Sequence, residues 1–125
     1  MYIYANPNPL GKVTDDCTIR TMSIILAIPW EQAYMELCEM GLMLYDMPNR
    51  DVTLFSYLRG KGFHKHILPD LCPSCFSIKD FCDRYPKGEY VVLTSNHAVP
   101  VINGDYLDAV DSGNEIVSYY WEREK

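Results

Sequence analysis

A chain of 125 residues, 48% hydrophobic and with a formal net charge of −6, can bury one compact core and is too short for two. The acidic balance and the scattered lysines and arginines exclude the basic face that a nucleic-acid partner would need. No apolar run approaches the ~20 residues of a membrane-spanning helix, and Met1-Tyr2-Ile3-Tyr4 has neither a basic nor a hydrophobic leader, so the expectation is a cytoplasmic protein without a membrane partner.

In chain order, the first sixteen residues are polar and turn-rich, with Asn6-Pro7-Asn8-Pro9 and Gly11, and read as an arm or loop. A first helix starts near Asp16, with Thr14, Asp15 or Asp16 as its N-cap, and runs through Ile19, Met22, Ile24, Ile25 and Leu26 to Ile28, where Pro29 ends it. It is apolar on nearly every side, which marks a helix buried in the middle of the domain. Trp30, Ala33, Tyr34, Leu37, Cys38 and Gly41 recur at helical spacing and predict a second helix over about residues 30–43, with Cys38 on its core stripe. Asp51 caps a third helix stopped by Gly60 and Gly62, and Ser77-Ile78-Lys79-Asp80 is a capping signal for a short fourth.

After residue 88 the period changes. Tyr90–Leu93, His97–Ile102, Tyr106–Val110 and Ile116–Trp121 are strand-like, separated by turns at Ser95-Asn96, Asn103-Gly104-Asp105 and Ser112-Gly113-Asn114. Helices first and a meander last predict one α+β domain over residues 1–125, its N-terminal helices packed on a C-terminal antiparallel sheet.

Five cysteines without an export signal argue for reduced thiols, each of which must be core, metal ligand or nucleophile. Cys17 stands out because it opens the buried helix, where unpaired N–H groups and the helix dipole favour a thiolate. His97 can supply the second activating charge. A three-residue loop at Asn103–Asp105 sets His97 opposite Asp111 and keeps Val99, Val101, Leu107 and Ala109 on the same face. A two-residue Asn103-Gly104 turn shifts the register by one and brings Asp108 to the histidine instead. The first register puts more apolar surface toward the core, so Cys17, His97 and Asp111 are the expected nucleophile, base and orienter, with Asp108 as the alternative orienter. The free N–H of Cys17 is one oxyanion donor, and the Asn8 amide is the candidate for the second. Asp16 reads either as a helix cap or as a substrate contact, and Arg20, one turn past Cys17, as its ion-pair partner.

A second cluster, His64-x-His66, Cys72-x-x-Cys75 and Cys82, has the residue types of a structural zinc site, with His66, Cys72, Cys75 and Cys82 as the candidate ligands. The proposed thiol chemistry itself requires no cofactor.

The segments His97-Ala98-Val99 and Tyr106-Leu107-Asp108-Ala109-Val110-Asp111-Ser112 resemble the His-Ala-Val and Tyr-x-x-x-x-Asn-Ser segments of papain-like cysteine peptidases. Nearly the whole chain is similar to small papain-like proteins of bacteria and their phages. The similarity runs through Asn8-Pro9, Asp16-Cys17-Thr18-Ile19-Arg20, Cys72-Pro73-Ser74-Cys75, Pro86-Lys87-Gly88-x-Tyr90 and Asp108-x-x-Asp111-Ser112-Gly113. The resemblance implies a minimal papain-like fold in a bacterial or phage-infected cell, with His97 as base and Asp111 as orienting residue. It implies a hydrolase of a peptide, isopeptide or other amide bond in a protein or peptide substrate. The same scaffold is also compatible with an acyl or amide transferase, or with a non-catalytic protein that binds and inhibits a host or defence factor. Two departures stand out: Gly11 occupies the place of the glutamine that such peptidases carry about six residues before the cysteine, and Cys-Gly-Ser-Cys-Trp is missing.

Overall fold

The computed structural model describes residues 1–68 and 76–124. In chain order they form strand β1 (Tyr2–Tyr4), helices α1 (Cys17–Leu26), α2 (Trp30–Leu44) and α3 (Asp51–Gly60), strand β2 (Phe63–Ile67), helix α4 (Ile78–Arg84), and strands β3 (Glu89–Leu93), β4 (Ala98–Ile102), β5 (Asp105–Asp108) and β6 (Tyr119–Arg123). The class is α+β. One six-stranded sheet runs in the order β1-β5-β4-β3-β6-β2. All its pairs are antiparallel except β1 with β5, which is parallel.

Period-two alternation along β3 divides the core. Val91 and Leu93 join Met22, Ile25, Leu37, Leu54, Leu58 and Trp121 in the cluster under α1, α2 and α3. Val92 joins Phe81, Val99, Val101, Tyr106 and Tyr120 in a second cluster, under α4. The sheet is therefore covered on both faces, and successive side chains of one strand serve different layers.

The four helices lie where the sequence placed them, but Asp51 is the first residue of α3, after Arg50, and not its cap. Ser77 and Asp80 complete a reciprocal capping box on α4. Helix α1 stops at Ala27, which takes a left-handed conformation while its N–H and that of Ile28 return to the Ser23–Ile24 carbonyls. Pro29 then sets the extended entry to α2. At the far end of α2, the backbone of Asp46 would lie 2.7 Å from any Cβ at position 41, so Gly41 is what lets the 46–48 loop fold back over the helix. Thr53 Oγ1 donates to the Met47 carbonyl at 2.7 Å and fixes that loop against α3, which places Asn49 beside the first turn of α1.

Helix α1 is buried as expected but is less apolar. Thr18, Arg20, Thr21 and Ser23 are inside with Met22 and Ile25. Thr21 Oγ1 donates to the Ala98 carbonyl at 3.0 Å, which ties the helix directly to β4.

Two strands lie outside the expected meander. Tyr2–Tyr4 pairs with Tyr106–Asp108, and Phe63–Ile67 pairs with Tyr119–Arg123. The last strand begins at Tyr119, three residues later than its apolar run, because Ile116 instead bridges to Ser77 ahead of α4. No helix among the described residues is long and apolar enough to cross a membrane.

Candidate active site

Cys17 is the first residue of α1, His97 immediately precedes β4, and Asp108 closes β5. The β4–β5 hairpin determines which carboxylate reaches the imidazole. Val101 faces Tyr106 and Ile102 faces Asp105, so the connection is the two-residue Asn103-Gly104 turn. Both turn residues have positive φ, 49° and 81°, the geometry of a type I′ turn, whose twist matches that of the flanking strands. This register puts Asp108 on the diagonal from His97, and the two side chains meet at 2.6 Å between Nε2 and Oδ2.

The expected pairing of His97 with Asp111 is not formed, and Asp108, the alternative, takes its place. Asp111 lies beyond the strand, where its Oδ1 accepts from the Tyr106 hydroxyl and from the Gly113 N–H at 3.0 Å. The reason is the turn: removing one residue from the loop moves every later side chain of β5 to the opposite face.

Asp108 is 3% exposed and fully engaged. Besides the imidazole, it accepts from Ser112 Oγ at 2.8 Å, from the Ala109 N–H at 2.7 Å and from Arg20 at 3.3 Å. Arg20 also pairs with Asp16, which in turn accepts from the Trp30 indole N–H at 2.9 Å. The expected Asp16–Arg20 pair is present, and it is buried. Asp16 sits at the N-cap position without making a side-chain cap bond, and at 3% exposed it is not a substrate contact.

Asn8 does not reach the site either. Its Oδ1 accepts from the Leu10 N–H at 2.9 Å within its own turn, and it does not line either cavity at the cysteine. Those cavities, of about 360 and 110 Å³, flank the Cys17–His97 pair. Both are lined by Cys17, Thr18, Asn49, Asn96 and His97, which brings the exposed side-chain amides of Asn49 and Asn96 to the walls of the cavities at the nucleophile. Asn96 was legible as the turn residue just before His97. Asn49 carried no sequence signal, since only the folded-back α2–α3 loop brings it there.

The electrostatics are those of an ion pair. Burial pushes the Cys17 thiol up, but a hydrogen bond from His97, the Ala98 N–H and the charges of His97 and Arg20 outweigh it, and the thiol is held below its ordinary value. His97 is pushed up to about 10, first by its hydrogen bond to Asp108 and then by the bond to Cys17, against burial. Asp108 resists its own burial through His97, Ser112 and the Ala109 N–H and stays below the usual carboxylate range. Since Nε2 faces Asp108, Nδ1 is the ring nitrogen left for the thiol. The shifts of both groups favour a thiolate–imidazolium pair, an arrangement suited to nucleophilic attack on a carbonyl followed by proton delivery to the leaving group.

The candidate zinc ligands divide. Cys72 and Cys75 lie outside the described residues. His66 stacks on Tyr120 and lies 3.2 Å from Glu122 on the neighbouring strand, and His64 is 2.9 Å from Glu124. Cys82 is 4% exposed in the cluster under α4, where burial pushes its thiol up to about 11, unlike a thiol prepared to bind metal as thiolate. Among the described residues, no three His, Cys, Asp or Glu side chains converge as metal ligands.

Compared with known proteins, the chain matches no family model, no curated protein and no solved structure.

Proposed function

We propose that this protein is a papain-like cysteine hydrolase that cleaves a peptide, isopeptide or related amide bond through Cys17, His97 and Asp108. The observation that carries the reading is the His97 imidazole held between the Cys17 thiol and the buried Asp108 carboxylate. A cysteine at a helix start or a histidine beside a strand is common alone; the three side chains brought together in series at the edge of a cleft are not.

The Cys17 thiolate attacks the carbonyl carbon, and the charge developing on oxygen is met by the Cys17 N–H, free in the first turn of α1. An amide of Asn49 or Asn96 supplies the second donor. His97 gives its Nδ1 proton to the departing amine, leaving a thioester on Cys17. Water enters, the neutral imidazole removes its proton, and collapse of the second tetrahedral intermediate releases the acid and restores the thiol pair. Asp108 keeps the Nε2 proton in place and holds the ring's orientation throughout.

The test is the rate of Cys17 alkylation by iodoacetamide from pH 4 to 9, read by peptide mass spectrometry with Cys38 as internal reference. A fast rate with its midpoint well below the ~8.5 of a free thiol supports an activated nucleophile. A slow rate that rises only near that value removes the enzyme reading.

A further inference from the structure

The hydrogen-bonded series does not stop at Asp108. Arg20 lies on α1 one turn past the nucleophile, is 5% exposed, and divides its guanidinium between two carboxylates. One amino group pairs with Asp16 and also lies 3.4 Å from the Thr14 carbonyl. The other reaches across to β5 and meets Asp108 Oδ1 at 3.3 Å. The second oxygen of that same carboxylate, Oδ2, receives His97. Trp30, the first residue of α2, anchors the far end through Asp16.

An exposed i,i+4 pair would contribute little and would not shape a site. This pair is different because both partners are buried, and because the arginine spans two elements that carry different parts of the chemistry. A guanidinium presents its donors in a rigid fork, so contact with Asp16 on one arm fixes the direction of the other. Asp108 then has one oxygen pinned and the other aimed. Arg20 answers both buried carboxylates, while the imidazolium faces Asp108 and the Cys17 thiolate. Without the guanidinium, Asp16 would lose its buried cation, and Asp108 Oδ1 would keep only the Ala109 N–H.

We infer that Arg20 is a positioning residue, a buried clamp that locks Asp108 onto His97 and couples the helix carrying the nucleophile to the strand carrying the orienting carboxylate. Its guanidinium is committed to Asp16 and Asp108, so its effect passes through Asp108 and through its charge near Cys17, where it favours the thiolate. This inference rests on the functional reading above. The charged and titratable groups facing the clamp are Asp16 and Cys17 at the start of α1, His97 before β4 and Asp108 on β5. Asp15 stands at the rim of the larger cleft and Asp51 at the start of α3 in the smaller.

The experiment compares wild type, Arg20→Lys and Asp16→Asn by the pH profile of Cys17 alkylation, with thermal unfolding measured on each. Lysine keeps the charge but loses the fork, so the alkylation midpoint should rise by about one pH unit and the plateau rate fall by about tenfold. Asp16→Asn removes a negative charge near the thiolate and leaves the guanidinium to Asp108, so its midpoint should stay or move down. A merely structural role would shift both variants the same way, in step with their melting temperatures. A depressed wild-type midpoint that Arg20→Lys leaves in place would overturn the clamp alone. A wild-type midpoint at the free-thiol value would overturn the functional reading on which it rests.

Discussion

Asp108→Asn is the sharpest perturbation of the site, because the side chain keeps its shape and loses only its charge. His97 is held at about 10 instead of 6.5. At ~1.4 kcal/mol per pH unit this corresponds to roughly 5 kcal/mol in favour of the imidazolium, with Asp108 the leading contributor and Cys17 the next. Neutralising Asp108 should therefore bring the His97 titration down by about two pH units and leave the Cys17 contribution in place. The sign of the stability change follows. A raised histidine stabilises the fold below its unfolded value and loses that contribution as pH climbs toward 10, whereas a depressed carboxylate stabilises above its unfolded value and loses it as pH falls through the folded one. The variant should thus be weakest relative to wild type between about pH 4 and 6.5, by roughly 2–3 kcal/mol, with the gap closing toward both ends. The assay is NMR titration of the His97 ring protons, with the exposed His64 ring as reference, together with urea unfolding at pH 6 and 9. Asp111→Asn is the control and should leave His97 titrating as in wild type, since Asp111 bonds to Tyr106 and Gly113. An unchanged His97 in Asp108→Asn, or the same drop in Asp111→Asn, would refute the assignment.

Hydrolysis of any substrate found should follow a bell-shaped profile, rising as Cys17 ionises and falling as His97 loses its proton near 10, and Cys17→Ser should abolish it while leaving the melting temperature within a degree or two of wild type. Gly104→Ala, at a φ of 81°, should cost about 1–2 kcal/mol in urea unfolding and should broaden or shift the His97 resonance, because the turn sets the register that delivers Asp108. Thr21→Val removes the α1–β4 tether and should destabilise by about 1–2 kcal/mol. Cys82, buried and with its thiol pushed up to about 11, should react with iodoacetamide at pH 8 only as fast as the fold opens, and denaturant should release that protection.

What was legible in this sequence was what is local. Helical spacing and proline, with the Ser77 capping box for α4, placed the four helices, and Asn103-Gly104 marked the hairpin that governs the site. Strands β1 and β2 escaped because neither announces itself. Tyr2–Tyr4 is three residues long, and in Phe63–Ile67 only Phe63 is buried, so each is a strand by virtue of the neighbour it pairs with. The orienting carboxylate escaped for a related reason. Counting apolar residues on each face of β5 favours the register that leaves Asp108 outside, since a lone carboxylate in a core is a heavy penalty. Asp108 goes inside because four donors converge on it, from Arg20 on α1, His97 before β4, and Ser112 and the Ala109 N–H just past β5. The penalty that the pattern assigns to the residue is real, but it is offset by groups separated by up to 88 positions in the chain. Where turn chemistry and hydrophobic count disagree by one residue, then, a buried ionic network can decide for the turn. The same network explains why the surrounding helix is polar where it should have been apolar: Arg20 is buried on α1 because Asp108 is buried on β5.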